Sequence, residues 1–166
     1  MISPEYCQTM ARYNAWQNDG LRKMVSEISL DDLTKDRGAF FGSIFATLNH
    51  LIWADTLWIS RFDGGAGPAV PAAEHREITP TPAAWAAERS RMDARITLWA
   101  ASGDASDIVG DLTWFSDAAQ REITKPKALC VMQLFNHQTH HRGQIHAMLT
   151  SLGLKPNDTD LPFMPE

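Results

Sequence analysis

Cysteine is nearly absent: Cys7 and Cys130 are the only two, they lie far apart, and neither sits in a Cys-x-x-Cys motif. That excludes a disulfide framework of the secreted kind and predicts two reduced core thiols. No apolar run approaches the roughly 20 residues needed to span a bilayer, and no positively charged, then apolar leader opens the sequence. The expectation is a cytoplasmic protein without a membrane partner. Basic charge is also sparse, with 15 Lys and Arg against 20 Asp and Glu, a formal net charge of −5. A nucleic-acid surface needs a basic stripe to replace phosphate counterions, and an anionic membrane attracts the same kind of cluster. The basic residues here are scattered, so neither partner is expected. Internal repeats and low-complexity tracts are lacking too.

What remains is an ordinary globular balance, 44% hydrophobic and 21% charged over 166 residues, with no sign of disorder. A chain of this length is expected to form one domain, residues 1–166, burying roughly 70% of its unfolded surface.

Apolar periodicity predicts an all-α fold. Ser3-Pro4 is a helix start, a capping hydroxyl followed by a proline with no N–H to lose. Tyr6, Met10, Tyr13, Leu21 and Met24 then recur at helical spacing to about Ser26. Asn14 and Asn18 share a face of this helix. Asparagine competes for backbone groups in helix interiors, so solvent exposure is expected, with a buried polar contact as the alternative. Leu30 to Gly38 reads as a polar turn.

A second helix runs from Ser43 to Phe62. Its stripe of Ile44, Leu48, Leu51, Trp58 and Phe62 is widened by Ile52, Trp53 and Leu57. A helix apolar nearly all round is buried on several sides, either central in a bundle or also facing a second subunit. Gly64 to Thr79 reads as a loop crossing the bundle. Thr81-Pro82 restarts a helix with a seam of Trp85, Met92, Ile96 and Trp99, stopped at Ser102-Gly103. Leu112–Phe115 and Glu122–Thr124 are spaced for a small β-hairpin, which must lie on the helices to be stable. Pro126 opens a last helix to Leu152, with Gly153 as its stop. Four helices of similar length predict a four-helix bundle. The tail from Lys155 carries three prolines, and Leu161 and Phe163 are expected to pin it.

Of six histidines, His137 and His141 stand four positions apart on the last helix. They are separated by only about 40° around its axis, with Cβ atoms roughly 5–6 Å apart. One divalent ion reaching ~2.0–2.1 Å to each ring nitrogen can bridge that gap. The alternative is a pair of imidazoles with ordinary hydrogen bonds. A tight site needs a third ligand, and His50, midway along a buried helix, is the best candidate; His75, in the crossing loop, ranks below it. Cys130 shares the azimuth but lies ~10 Å down the axis, too far to join. His140 is a neighbour at about 60°, and His146 points away to the surface. Three neutral imidazoles leave a position open for water or substrate, as catalytic sites do. Zn or Ni heads the list of ions, followed by Fe, Mn or Cu.

The segments Tyr13-Asn-Ala-Trp-Gln-Asn18, Ser43-Ile-Phe-Ala-Thr-Leu-Asn-His-Leu51, Asn136-His-Gln-Thr-His-His-Arg-Gly-Gln-Ile145 and Asp158-Thr-Asp-Leu-Pro-Phe163 resemble the DinB family in order along nearly the whole chain. The resemblance implies an up-down-down-up bundle with a long crossover after the second helix. It also implies a homodimer, and one divalent metal ion held by His50, His137 and His141. Gln144 is placed to hydrogen-bond a ligand imidazole or a water on the metal. Arg142 is expected to be a salt-bridge partner, Asp55 to join a structural network, and the tryptophans to be core. Gly143 suggests a close helix crossing, with simple exposure as the alternative.

Relatives with this fold include S-transferases that use small thiols such as bacillithiol, and a mycothiol-dependent isomerase. The resemblance therefore implies a small-molecule enzyme activating a low-molecular-weight thiol for transfer to an electrophile, or activating water as a hydrolase. A non-catalytic metal-binding bundle with a structural or stress-response role is the alternative.

Overall fold

The computed structural model describes residues 1–166. Four long helices dominate it: α1 (Pro4–Val25), α3 (Ile44–Asp63), α4 (Pro82–Ser102) and α5 (Lys127–Ser151), with a short α2 (Leu30–Thr34). Strands β1 (Asp111–Ser116) and β2 (Arg121–Pro126) form an antiparallel hairpin before α5. No helix is long and apolar enough to cross a membrane.

The helix starts follow from their caps. The hydroxyls of Ser3, Ser43 and Thr81 accept from the backbone N–H three residues on, at 3.3, 3.1 and 3.1 Å, with proline in the first turn of α1 and α4. Residues 30–38 are not all turn as the polarity suggests. Ser29 caps Leu30–Thr34 by accepting from Asp32 N–H at 3.1 Å, and Leu33 drops into the core, fully buried. One apolar anchor and a good cap suffice to fold five residues when tertiary packing stabilises them.

The core falls into two apolar clusters. Leu21, Val25, Ile44, Leu48, Trp85, Ile145 and Leu149 belong to one; Cys7, Ala11, Ile59, Ile96, Leu134 and Phe135 belong to the other. α1 and α5 contribute their first halves to the second cluster and their second halves to the first, while α3 and α4 do the reverse. Between the clusters lies a buried polar layer of Asn14, Gln17, Asn18, Asp55, Arg89, Asp93, Gln138 and Arg142. Arg89 Nη1 donates to Asp55 Oδ2 at 2.5 Å, and its Nη2 lies 2.9 Å from Asp93 Oδ1, which also accepts from Asn18 Nδ2 at 2.8 Å.

That layer corrects two expectations and bears out a third. Asn14 and Asn18 are buried, at 1% and 2% exposure, because Asn18 serves a carboxylate on α4 and Asn14 lies in the same layer. Arg142 makes no salt bridge: it is buried, its guanidinium 5.4 Å from the centre of the Tyr13 ring and its Nη1 3.5 Å from Gln138 Oε1. Burial pushes it down to about 10, so it stays charged at neutral pH. Asp55 does join a structural network, through Arg89.

Trp85 is core, whereas Trp53, Trp58 and Trp99 are half-buried at the edges of the bundle. Trp58 meets Trp114 of the hairpin edge-on at 5.5 Å, and Arg61 stacks on both rings, which lays the hairpin on α3. The tail is fixed otherwise than expected. Leu161 and Phe163 are exposed. Its backbone carbonyls do the anchoring, Thr159 accepting from Tyr13 Oη at 2.6 Å, Asp158 from Gln17 Nε2 at 2.8 Å and Pro165 from Arg12 Nη2 at 3.0 Å. Gly20 makes room for it, since a Cβ there would stand 2.5 Å from Asn157 Oδ1. Gly143, by contrast, faces open space: no helix crosses there. Both cysteines are free and buried.

Candidate metal centre

His50 is carried by α3 two turns past its Ser43 cap, and α5 presents His137 and His141 on one face. The three rings converge. His137 Nε2 lies 3.1 Å from His50 Nε2 and 3.1 Å from His141 Nε2, and one ligand atom from each residue falls within 4.8 Å of the others. Two imidazole nitrogens sharing a tetrahedral ion at ~2.05 Å stand about 3.3 Å apart, so both close separations fit a common cation. No cysteine or carboxylate joins the group.

Protonation state and tautomer also fit. Burial first, then the neighbouring imidazoles, push His50 down to about 3 and His137 to about 4; burial likewise lowers His141 despite Gln144, which favours its charged form. All three are therefore neutral at pH 7, as ligands must be. Gln144 Oε1 lies 2.8 Å from His141 Nδ1. A carbonyl oxygen only accepts, so the proton sits on Nδ1 and the Nε2 lone pair points into the cluster.

The other expected neighbours fall outside the cluster. His140 is exposed, its Nε2 3.3 Å from Gln144 Nε2. His75 meets His50 from behind, Nδ1 to Nδ1 at 3.0 Å. His146 is half-buried rather than a surface group, because α5 is covered on that side too.

One functional neighbour was not anticipated. Phe41, in the tight turn closed by Gly42 N–H to Ala39 O at 2.8 Å, lays its ring 4.2 Å from His50 and 5.2 Å from His141, centre to centre. It gives the centre an apolar wall. The signal was two adjacent phenylalanines, Phe40 and Phe41, inside a short stretch bounded by Gly38 and Gly42. An open cavity of about 680 Å³ lies elsewhere: Tyr6, Met10, Trp58, Trp114, Cys130 and Phe135 line it, and none of the three histidines does.

Fold and cluster together define a helical-bundle protein with a three-histidine centre shared between two helices. The model of the DinB family matches residues 1–166, and the chain belongs to that family. No curated protein matches the sequence. Two solved structures share the fold at 16% identity. YfiT from Bacillus subtilis, described as a probable metal-dependent hydrolase with an unusual four-helix bundle topology, superposes with a TM-score of 0.69 over 93% of this chain and 92% of its own. A DinB-like protein from Bacillus cereus ATCC 10987 gives a TM-score of 0.65 over 86% and 90%.

Proposed function

We propose that this protein is a metal-dependent enzyme in which His50, His137 and His141 hold one divalent ion, Zn or Ni before Fe, Mn or Cu. The carrying observation is the convergence of three neutral imidazole nitrogens from two helices with no fourth protein ligand. A dication held by these three residues would supply one thing: it would lower the pKa of a thiol or a water, giving a nucleophile near neutral pH. The protein residues do the rest. The three imidazoles, neutral at pH 7, would leave the charge of such an ion undiminished. Gln144 fixes the tautomer of His141, and Phe41 excludes water from one side.

A small thiol transferred to an electrophile is the first reading. Water activated for hydrolysis is the second, supported by the description of YfiT. Elemental analysis of untreated protein, followed by parallel thiol-conjugation and ester-hydrolysis screens, tests both. One ion per chain with neither activity would leave the non-catalytic, fold-stiffening role.

The chain as a whole, residues 1–166, is proposed to act as one cytoplasmic domain with an up-down-down-up course and residues 64–79 as its crossover. The way the helices share out the two core clusters supports that course. A homodimer is the proposed assembly, the open apolar cleft beside Trp58, Trp114 and Leu129 being the face a second copy would cover. Light scattering of the purified protein decides that.

A further inference from the structure

We propose that His75 is a positioning residue of the metal centre: it accepts a hydrogen bond from Nδ1–H of His50 and thereby selects the tautomer in which His50 can ligate through Nε2. The inference rests on the three-histidine reading above.

The geometry is specific. His50 uses its two nitrogens in opposite directions, Nε2 toward His137 at 3.1 Å and Nδ1 toward His75 Nδ1 at 3.0 Å. Two ring nitrogens at that distance share one proton, so one donates and the other accepts. If His75 donated, the proton of neutral His50 would sit on Nε2, aimed at the place a cation would occupy. If His75 accepts, the Nε2 lone pair of His50 is free. Only the second arrangement is compatible with ligation, and it assigns the proton of His75 to its own Nε2. His75 therefore does for His50 what Gln144 does for His141.

The loop that carries His75 is built to hold it there. Trp53, one turn beyond His50, donates its Nε1–H to Val70 O at 2.9 Å. Asn49, immediately before His50, accepts at Oδ1 from Thr79 N–H at 3.1 Å and from Thr79 Oγ1 at 2.6 Å, with both residues buried. The residues flanking His50 thus clamp the crossing loop on either side of His75. A one-turn 3₁₀ helix, Ala72–Glu74, delivers the ring, which packs on Phe41 at 5.1 Å and on Trp53 at 5.9 Å. Because His75 approaches the nitrogen of His50 that faces away from the cluster, it stands behind that ring and outside the group of three.

The test is zinc affinity, measured by competition with a chromophoric chelator on wild type, His75→Leu and His75→Asn. Leucine removes the acceptor at similar bulk; asparagine restores one, since its Oδ1 occupies the place of the imidazole Nδ1. Expected are one zinc per chain in all three, binding weakened roughly 10–100-fold in His75→Leu, and near wild-type affinity in His75→Asn. Wild-type affinity in His75→Leu would overturn the proposal. Equal weakening in both variants would assign the effect to ring packing instead, and loss of the stoichiometric site in His75→Leu would make His75 a ligand. Wild-type protein that binds no zinc or other divalent ion takes down the three-histidine reading itself.

Discussion

Gln144 stands one helical turn beyond His141 on α5, its Oε1 2.8 Å from the ring Nδ1. The pair is half of a ligand geometry, an imidazole whose outward nitrogen is held by an acceptor so that its inward one can bind. Replacing Gln144 by leucine keeps the helix and removes the acceptor. Metal affinity is expected to fall roughly 10–100-fold, about 1.4–2.7 kcal/mol, with stoichiometry unchanged. Isothermal titration of the Gln144→Leu variant checks this, and unaltered affinity would show that the hydrogen bond does not tune the ligand.

Changing any one of His50, His137 or His141 to alanine is expected to abolish stoichiometric metal binding, because two imidazoles do not make a tight site. The thermal readout is separate. Free ion at 100 times its Kd stabilises the folded state by about 2.7 kcal/mol. For a chain of this size that corresponds to a rise in Tm of roughly 5–11 °C. A chelator should reverse the rise in wild type and do nothing in the variants. Full metal content in all three alanine variants would falsify the ligand assignment.

The histidine pair on α5 was legible because it rests on local periodicity: a spacing of four positions between His137 and His141 fixes their shared face whatever the rest of the chain does. The capped helix starts at Ser3, Ser43 and Thr81 were legible for the same reason. What escaped depends on contacts between distant segments. Asn14 and Asn18 looked exposed because their cost in a helix is local, while the Asp93 carboxylate that Asn18 serves lies on α4. Arg142 looked like a salt-bridge partner, yet its guanidinium rests over Tyr13 from another helix. Phe41, and the place behind His50 taken by His75, which the sequence offered only as a lesser ligand candidate, depend on turns whose position is set by tertiary hydrogen bonds, so no spacing rule could bring them to His50. The tail is held by its backbone carbonyls, which side-chain patterns do not report.

Arg89 sits between Asp55 and Asp93 with all three side chains withdrawn from water. Removing one partner of such a group leaves an unpaired buried charge, and Arg89→Met strands two carboxylates. The expected destabilisation is roughly 3–5 kcal/mol in chemical denaturation. Adding Asp55→Leu to that variant should recover part of the loss, since one stranded charge disappears. A double variant no more stable than Arg89→Met would mean that the carboxylate of Asp55 is not what the arginine offsets.

The acid response of the metal-free protein follows from the same burial that keeps the histidines neutral at pH 7. In the unfolded chain an imidazole titrates near 6.5, whereas in the folded protein His137 is held to about 4 and His50 to about 3. Above pH 6.5 both states carry neutral rings and these groups contribute no pH dependence. As pH falls below 6.5 the unfolded chain takes up protons that the folded one refuses, so stability declines. The decline continues until the folded rings begin to protonate near 4 and then 3, where the histidine contribution levels off. Urea denaturation of the metal-free protein at pH 7.5, 6 and 5 should therefore show falling stability across a range where most carboxylates are still ionised. His50→Gln and His137→Gln should each flatten that slope, because the substituted side chain has no proton to gain. Parallel slopes in wild type and both variants would mean that these imidazoles titrate alike in the two states, and that the cluster is open to water.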